Sequence, residues 1–321
     1  MSVTIGVDIG GTKIAGGLVD QDGNVLLRAR RDTPALASGA VVEAIVEVTH
    51  ELVRAAAGSG VGDVEAVGLG AAGFVDETRS IVRFAPNLGW VEEKLGAQVT
   101  SGVGLPVVVE NDANAAAWGE FRFGAGRDAH SLVAVTVGTG IGGGIVHGDQ
   151  LLRGAFGMAA EFGHITRVPD GRPCGCGKRG CWEQYASGNA LVREARALAG
   201  DRRTDAGLLL SLGDGTPEGV SGRHVSAAAR QGDPVALEAF GRIGTWLGIG
   251  LADLAAALDP GLFVIGGGVS ESGDLLLGPT RVAFEESLVT AGHRPDAEVV
   301  AARLGNDAGV VGAADLARSR T

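Results

Sequence analysis

The sequence predicts an α/β fold built from two domains of similar topology. Short apolar segments typical of buried strands alternate along the chain with longer segments of helical apolar spacing. A pattern of strand, Gly/Thr-rich turn, strand, acidic turn and apolar pair begins at Val3 and begins again at Val133. With 321 residues, of which 45% are hydrophobic, the chain is long enough to bury two cores. Two domains of like topology are the simplest explanation of the repeat.

The first part of the chain is predicted to form a three-stranded hairpin, a helix, two further strands and an Ala-rich helix. These elements are expected at 3–8, 13–19, 24–30, 40–57, 64–69, 106–110 and 113–123.

The second part begins with the repeated hairpin and continues with helices and one strand. The helices are expected at 188–199 and 227–257, near Ser270 after the 262–265 strand, and at 307–318. We expect the last helix to pack back on the first domain. The predicted domains are therefore 1–110 with about 305–321, and 111–304.

Charge and composition exclude some classes of partner. The formal net charge of −11 argues against nucleic acid or an anionic membrane surface. The most apolar stretch, 243–258, is interrupted by Asp253, so no membrane span is predicted. The N-terminal residues lack the features of a secretory signal, which predicts a cytoplasmic protein.

All three cysteines lie within eight residues of one another, with a histidine ten residues before the first. Cys174, Cys176, Cys181 and His164 are a sufficient ligand set for tetrahedral zinc. The alternative is three incidental buried thiols. Because all four positions would be protein ligands, the predicted zinc site is structural rather than hydrolytic.

Two carboxylates, Glu161 and Glu183, flank the predicted zinc loop. Paired carboxylates commonly bind the vicinal hydroxyls of a sugar, because each accepts strong charge-assisted hydrogen bonds. The sequence therefore indicates a polyhydroxylated ligand beside the metal.

Three glycine-rich turns are candidates for nucleotide binding. The segment 138–143 satisfies G-x-G-x-x-G, but a strand rather than a helix follows it, which argues against a dinucleotide site. The turns at 8–13 and 138–142 would instead bind phosphates through successive backbone N–H groups. The glycines at 266–268 would leave room for a nucleoside. The alternative is that all three are ordinary tight turns.

Asp112 follows a buried strand, at the end where ligands of open α/β sheets bind. A carboxylate there could accept the proton of a substrate hydroxyl that attacks a γ-phosphoryl group. Asp112 could equally be the N-cap of the following helix. Asn111 is similarly open between a turn residue and a hydroxyl ligand.

These motifs together resemble the ROK family, which contains bacterial sugar kinases and sugar-responsive repressors. The stretch 8–13, with Gly17 and Asp20, resembles the first phosphate motif of the family, and 138–143 resembles the second. The segments 161–164 and 174–183 are similar to its zinc signature in residue type and spacing. Within the family, 181–188 is most similar to the glucose kinases of high-GC Gram-positive bacteria.

The resemblance implies an actin-like ATPase (ribonuclease H-like) fold, with a cleft between two domains, and ATP-dependent phosphorylation of glucose at its 6-hydroxyl. By position, Asp112 becomes the catalytic base. The residues implied to bind the sugar are Gly73, Asn87, Asn111, Asp112, Glu161, His164 and Glu183. Those implied to bind ATP, with Asp8 holding Mg²⁺ through water, are Asp8, Gly10, Gly11, Thr12, Lys13, Gly138, Thr139, Gly140, Gly266 and Gly267. The implied assembly is a homodimer or homotetramer.

Alternatives remain within and beyond the kinases. N-acetylglucosamine, N-acetylmannosamine, mannose or fructose could replace glucose, and polyphosphate could replace ATP. A sugar-responsive regulator is the alternative from another class. The repressors carry a helix-turn-helix domain before the first strand, which here begins at Val3, and the net charge is unfavourable for DNA.

Overall fold

The computed structural model describes residues 2–34, 38–289, 291–293 and 295–319. Its internal contacts divide the chain into two compact units. The first unit comprises Met1–Ala134, Gly143–Ala160 and Arg303–Thr321, and the second comprises Val135–Gly142 and Glu161–Ala302. The boundary expected near residue 110 remains a prediction.

The α/β class is confirmed, since strands and helices alternate along the described chain. The strands are β1 Val3–Ile9, β2 Lys13–Val19, β3 Val25–Asp32, β4 Val64–Ala71, β5 Phe74–Val75, β6 Val82–Ala85, β7 Trp90–Glu93, β8 Val107–Asn111, β9 Ser131–Val137, β10 Ile141–His147, β11 Gln150–Leu151, β12 Leu262–Gly266 and β13 Glu298–Ala301. The helices are α1 Ser38–Ser59, α2 Leu95–Val103, α3 Asp112–Phe123, α4 Glu183–Ala186, α5 Gly188–Asp201, α6 Gly207–Ser211, α7 Gly222–Arg230, α8 Pro234–Leu258, α9 Asp274–Ser287 and α10 Ala308–Arg318.

The repeat seen in the sequence is confirmed by the sheets. The first five-stranded sheet has the order β3-β2-β1-β4-β8 and the second has the order β11-β10-β9-β12-β13. In each, the hairpin occupies one side and two later strands extend the other. In the first sheet β2 is antiparallel to β1 and β3, whereas β4 and β8 are parallel to β1. The carboxyl ends of β1, β4 and β8 therefore lie at one edge.

A row of three paired glycines crosses the first sheet beneath α10. Gly17 pairs with Gly6, and Gly6 pairs with Gly68. A Cβ atom on Gly6 or Gly68 would overlap a backbone carbonyl of α10. Gly16, whose side of the strand is opposite to that of Gly17, faces α1. The glycines thus let α10 lie directly on the sheet, which is the position that we expected for the last helix.

Two predicted helices differ from the structure. The helix expected at 227–257 is two helices, α7 and α8, because Gly232 turns the chain with φ of +85°. Asp233 then caps α8, accepting hydrogen bonds from the N–H groups of Val235 and Ala236 (3.0 and 2.9 Å). The helix expected near Ser270 begins at Asp274, after a short 3₁₀ turn at Ser270–Ser272.

Among the described residues, α8 is the one helix long and apolar enough to satisfy the criteria for a membrane span. Inside the protein, 61% of its most apolar window is buried. Such burial is typical of the core helix of a soluble protein, and α8 contacts α5, α7 and α9.

Candidate active site

The first glycine turn joins β1 to β2 and is held by a neighbouring strand. The N–H of Gly10 donates to the carbonyl of Lys13 at 3.0 Å. Thr33, the residue after β3, donates its hydroxyl to the Gly10 carbonyl at 2.7 Å and its N–H to the Thr12 carbonyl at 3.1 Å. Gly11 and Thr12 are exposed at the tip of the turn. Nothing in the sequence marked Thr33, because its partners lie more than twenty residues away.

The carboxylate of Asp8, near the end of β1, lies within electrostatic reach of the carboxylate of Asp112. Burial, together with the negative charge of Asp112, raises the pKa of Asp8 from 3.8 to about 6, against the opposing effect of Lys13. The carboxylate also lies at the start of α10, where a Cβ on Gly309 would be 3.4 Å from its Cγ atom. The two aspartates thus form an acidic pair at the carboxyl edge of the first sheet.

Asp112 is the first residue of α3, and its neighbour Asn111 is the N-cap. The Asn111 Oδ1 accepts the N–H of Asn114 at 3.0 Å, so the cap role considered for Asp112 belongs to Asn111. The Asn111 Nδ2 donates to the carbonyl of Gly73 at 3.1 Å. The Asp112 carboxylate accepts the N–H of Ala113 at 2.9 Å. Burial raises the pKa of Asp112 even so.

The small sheet β5-β6-β7 positions Gly73, which directly precedes β5, and Asn87, which lies between β6 and β7. A Cβ on Gly73 would be 2.7 Å from the Phe84 carbonyl, so a side chain would not fit there. Asn87 is exposed, and a Cβ on Gly11 would lie 3.4 Å from its Cβ. The first unit thus brings together its predicted sugar residues and its predicted phosphate turn.

In the second unit, the glycines at 138–140 and 266–267 are neighbours. The Gly138 carbonyl accepts the N–H of Gly188, the first residue of α5, at 2.8 Å. Gly267 has φ of +85°, and a Cβ there would lie 2.6 Å from the carbonyl oxygen of Val137. Thr139 is exposed at the tip of the turn. Gly267, one of the predicted nucleoside glycines, therefore lies against the strand residue that precedes the second phosphate turn.

The predicted zinc ligands come together. The ligand atoms of His164, Cys174, Cys176 and Cys181 all lie within 4.8 Å of one another. The Cys174 Sγ is 3.6 Å from the His164 Nδ1, and the Cys176 Sγ is 3.6 Å from the Cys181 Sγ. A tetrahedron with zinc–sulfur bonds of about 2.3 Å has edges of roughly 3.7 Å, so the arrangement fits zinc.

The loop that carries these ligands depends on two glycines with left-handed backbone. Gly177 has φ of +87°, and its N–H donates to the Cys174 carbonyl at 3.1 Å, closing a tight turn. Gly180 has φ of +74°, and the Val168 carbonyl leaves no space for a Cβ there.

Trp182 anchors the loop on α8. Its fully buried ring packs on Gly250, and its Nε1 donates to the Trp246 carbonyl at 2.8 Å. The Arg167 guanidinium lies 5.2 Å from the centroid of the Trp182 ring. The position of the next residue, Glu183, is thereby fixed.

Glu183 contacts both the ligand cluster and the second phosphate turn. Its Oε1 accepts a hydrogen bond from the Cys174 Sγ at 3.0 Å and lies 3.8 Å from the His164 Nδ1. Its Oε2 occupies the space that a Cβ on Gly140 would need. Glu161 precedes the 3₁₀ turn Phe162–His164, and its carbonyl accepts the His164 N–H at 3.1 Å.

Comparison with known proteins shows a family match and close relatives over nearly the whole chain. The family profile described as "ROK family" matches residues 4–320. The chain is 55% identical to a glucokinase of Streptomyces coelicolor over 319 residues, covering 99% of this chain and 98% of the relative. It is 38% identical to a glucokinase of Thermotoga maritima, covering 98% and 97% of the two chains.

Solved structures agree with the sequence relatives. A ROK family glucokinase from Streptomyces griseus, solved in complex with glucose and AMPPNP, is 56% identical, with a TM-score of 0.89 and 99% of each chain covered. A ROK hexokinase from Thermus thermophilus is 35% identical, with a TM-score of 0.77 and coverage of 99% and 98%.

Proposed function

The chain belongs to the ROK family, and we propose that it phosphorylates glucose at the 6-hydroxyl with ATP as the donor. The observation that carries this function is the 55–56% identity, over nearly the whole chain, to Streptomyces glucokinases, one of which was solved with glucose and an ATP analogue. The fold is the actin-like ATPase fold of this family, as the sequence motifs predicted.

The general base in this proposal is Asp112. Its carboxylate accepts the proton of the sugar hydroxyl while the oxygen attacks the γ-phosphorus in line, and the bond from the γ-phosphorus to the β,γ-bridging oxygen breaks with ADP as the leaving group. The N–H of Ala113 holds one carboxylate oxygen at 2.9 Å, which leaves the other oxygen for the substrate. Burial raises the pKa of Asp112 and makes it a stronger base than an exposed aspartate.

The two glycine turns bind the phosphates of ATP in this proposal. Thr12 and Thr139 add hydroxyl donors at the exposed tips, and Lys13 adds positive charge. The Asp8 carboxylate would hold Mg²⁺ through water, and that ion would neutralise charge on the transferring phosphoryl group. Gly267, which contacts the backbone of Val137, is proposed to lie beside the nucleoside of ATP.

The residues proposed to bind the sugar are Gly73, Asn87, Asn111, Glu161, His164 and Glu183. Zinc held by His164 and the three cysteines is structural, since four protein ligands leave no position for a reactant. It would fix the imidazole and the loop that carries Glu183, which is two residues after the ligand Cys181.

A homodimer or homotetramer in the cytoplasm completes the proposal. Glucose and ATP are the expected partners, and the net charge of −11 is unfavourable for nucleic acid.

A coupled assay of ADP release tests this function. Glucose should give a kcat/KM at least about tenfold above that for mannose, fructose, N-acetylglucosamine and N-acetylmannosamine. The same assay with polyphosphate in place of ATP, read out as glucose 6-phosphate, tests the donor. Equal or higher kcat/KM for another hexose would reject glucose as the preferred substrate.

A further inference from the structure

A buried ion network lies directly behind the pair Asn111 and Asp112. The Oε2 of Glu110, whose side chain is 1% exposed, is 2.7 Å from the Nε of Arg153 and 3.2 Å from the Nε of Arg79. The two arginine side chains are only 11% and 14% exposed. None of these three residues belongs to the sets assigned to sugar, ATP or zinc.

The other oxygen of Glu110 holds the first turn of α3. It accepts the N–H of Asn111 at 3.0 Å and the Nδ2 of Asn114 at 3.2 Å. Asn111 in turn caps the helix by accepting the N–H of Asn114. Asp112 lies between Asn111 and Asn114 in the sequence, so Glu110 holds a residue on either side of it.

Arg153 is itself fixed by backbone groups of a neighbouring turn. Its guanidinium donates to the carbonyl of Asp76 at 2.9 Å and to that of Glu77 at 3.2 Å, in addition to its contact with Glu110. Its two terminal nitrogens thus donate to backbone carbonyls while its Nε forms an ion pair with Glu110, an arrangement that the planar guanidinium provides and an ammonium group does not. The same turn holds β8, since the Arg79 carbonyl accepts the N–H of Val109 at 3.0 Å.

We propose that Arg153 is a positioning residue for Asp112, acting through the Glu110 carboxylate. This inference rests on the proposed role of Asp112 as the base. Without Arg153 the Glu110 carboxylate loses its 2.7 Å partner and can move towards Arg79. The hydrogen bonds from Asn111 and Asn114 to Glu110 then weaken, and the Asp112 carboxylate loses its position beside the attacking hydroxyl. Transfer rates are sensitive to such displacements, at about 100-fold for 1 Å.

The test compares Arg153→Ala, Arg153→Lys and the control Arg83→Ala in the full-length enzyme. Arg83 also forms an ion pair in the first unit, with Glu92 at 2.7 Å, but both side chains are substantially exposed. We expect Arg153→Ala to lower kcat by about 10- to 100-fold while KM for glucose and for ATP stays within about threefold. Arg153→Lys should lose less, because it retains the charge, and Arg83→Ala should leave kcat unchanged.

Chemical rescue separates positioning from general destabilisation. Guanidinium ion at millimolar concentration should restore part of the kcat of Arg153→Ala by binding beside Glu110, whereas equal concentrations of NaCl or urea should not. A kcat for Arg153→Ala within about threefold of the parent overturns the proposal. A fall in kcat accompanied by a rise in the KM for glucose and the KM for ATP, without rescue by guanidinium, also overturns the proposal. Arg153 would then have a purely structural role. If Arg153→Ala does not fold, a parental kcat for Arg153→Lys at a parental thermal midpoint overturns it.

The variant Asp112→Asn, measured in parallel, keeps the two proposals distinguishable. If Asp112→Asn retains activity, the assignment of the base fails, whatever Arg153→Ala does. If Asp112→Asn is inactive and Arg153→Ala is fully active, only the positioning role fails.

Discussion

The negative charge of Asp112 raises the pKa of Asp8, so the two predicted active-site carboxylates lie within electrostatic reach of each other. Asp8 lies in β1, whereas Asp112 directly follows β8, and β4 separates these two strands in the first sheet. A Cβ on Gly70, the residue of β4 that pairs with Asp8, would lie 3.5 Å from the Cα of Asp112. Gly70 therefore lies next to both aspartates.

Replacing Asp8 with Asn should stabilise the folded protein at neutral pH and weaken binding of Mg·ATP. The folded-state pKa of about 6 lies above the value of 3.8, so the folded state binds the proton more tightly than the unfolded state does. Asp8 therefore costs stability above pH 6, by up to about 3 kcal/mol, and this cost disappears as the pH falls towards 4.

The thermal midpoint of Asp8→Asn should exceed that of the parent at pH 7.5, and the difference should shrink at pH 5. The exposed Asp22→Asn serves as the control and should change neither the midpoint nor the KM for ATP. A lower midpoint for Asp8→Asn at pH 7.5 would show that the carboxylate stabilises the fold.

Activity should fall on the acid side at a higher pH than an ordinary aspartate would give. Asp112 must be ionised to accept the proton, and burial raises its pKa. Asp8 must be ionised to hold Mg²⁺, and its pKa is about 6. Since kcat/KM reports the free enzyme, its value for ATP should decline as the pH falls through about 6. A flat kcat/KM from pH 8 to pH 5, in enzyme that stays folded, would contradict these assignments.

Much of this site could be predicted from the sequence because its signals are local. The hairpin turns and the cysteine cluster are continuous motifs, and the structure brings each of them together. The Glu110 network was missed because Arg79 and Arg153 are distant in the chain from Glu110. The small sheet β5-β6-β7 was missed as well, since β5 has only two residues and is too short to show an alternation of apolar and polar residues. Where α7 gives way to α8, the signal Gly232-Asp233-Pro234 was present in the sequence but was outweighed by the apolar residues around it.

Loss of the metal should destabilise the second unit through the zinc loop. Cys176 is exposed, so Cys176→Ala removes little packing, and its effect should come from the lost ligand. We expect about one equivalent of zinc in the parent, less in the variant, and a lower thermal midpoint together with a higher KM for glucose. Lys178→Ala, an exposed change in the same loop, is the control. A variant with a parental midpoint and parental KM would argue against a structural zinc.

The adjacent residues Gly267 and Gly268 allow a matched test of the proposed nucleoside-binding segment. Gly267→Ala places a side chain at φ of +85° and 2.6 Å from the Val137 carbonyl, whereas a Cβ on Gly268 meets nothing within 4 Å. Gly267→Ala should therefore destabilise the protein by roughly 1–3 kcal/mol and raise the KM for ATP. Gly268→Ala should have little effect on stability, as measured by thermal unfolding. Equal midpoints for the two variants would contradict the backbone constraint at Gly267.

Single-turnover formation of glucose 6-phosphate by Asp112→Asn, with ATP and glucose saturating, tests whether Asp112 is the general base. Asn preserves the size of the side chain, and the exposed Asp201→Asn controls for the change of charge. We predict a rate about 10² to 10⁴ times lower than that of the parent, with glucose binding retained. A rate within about tenfold of the parent would show that Asp112 is not the general base.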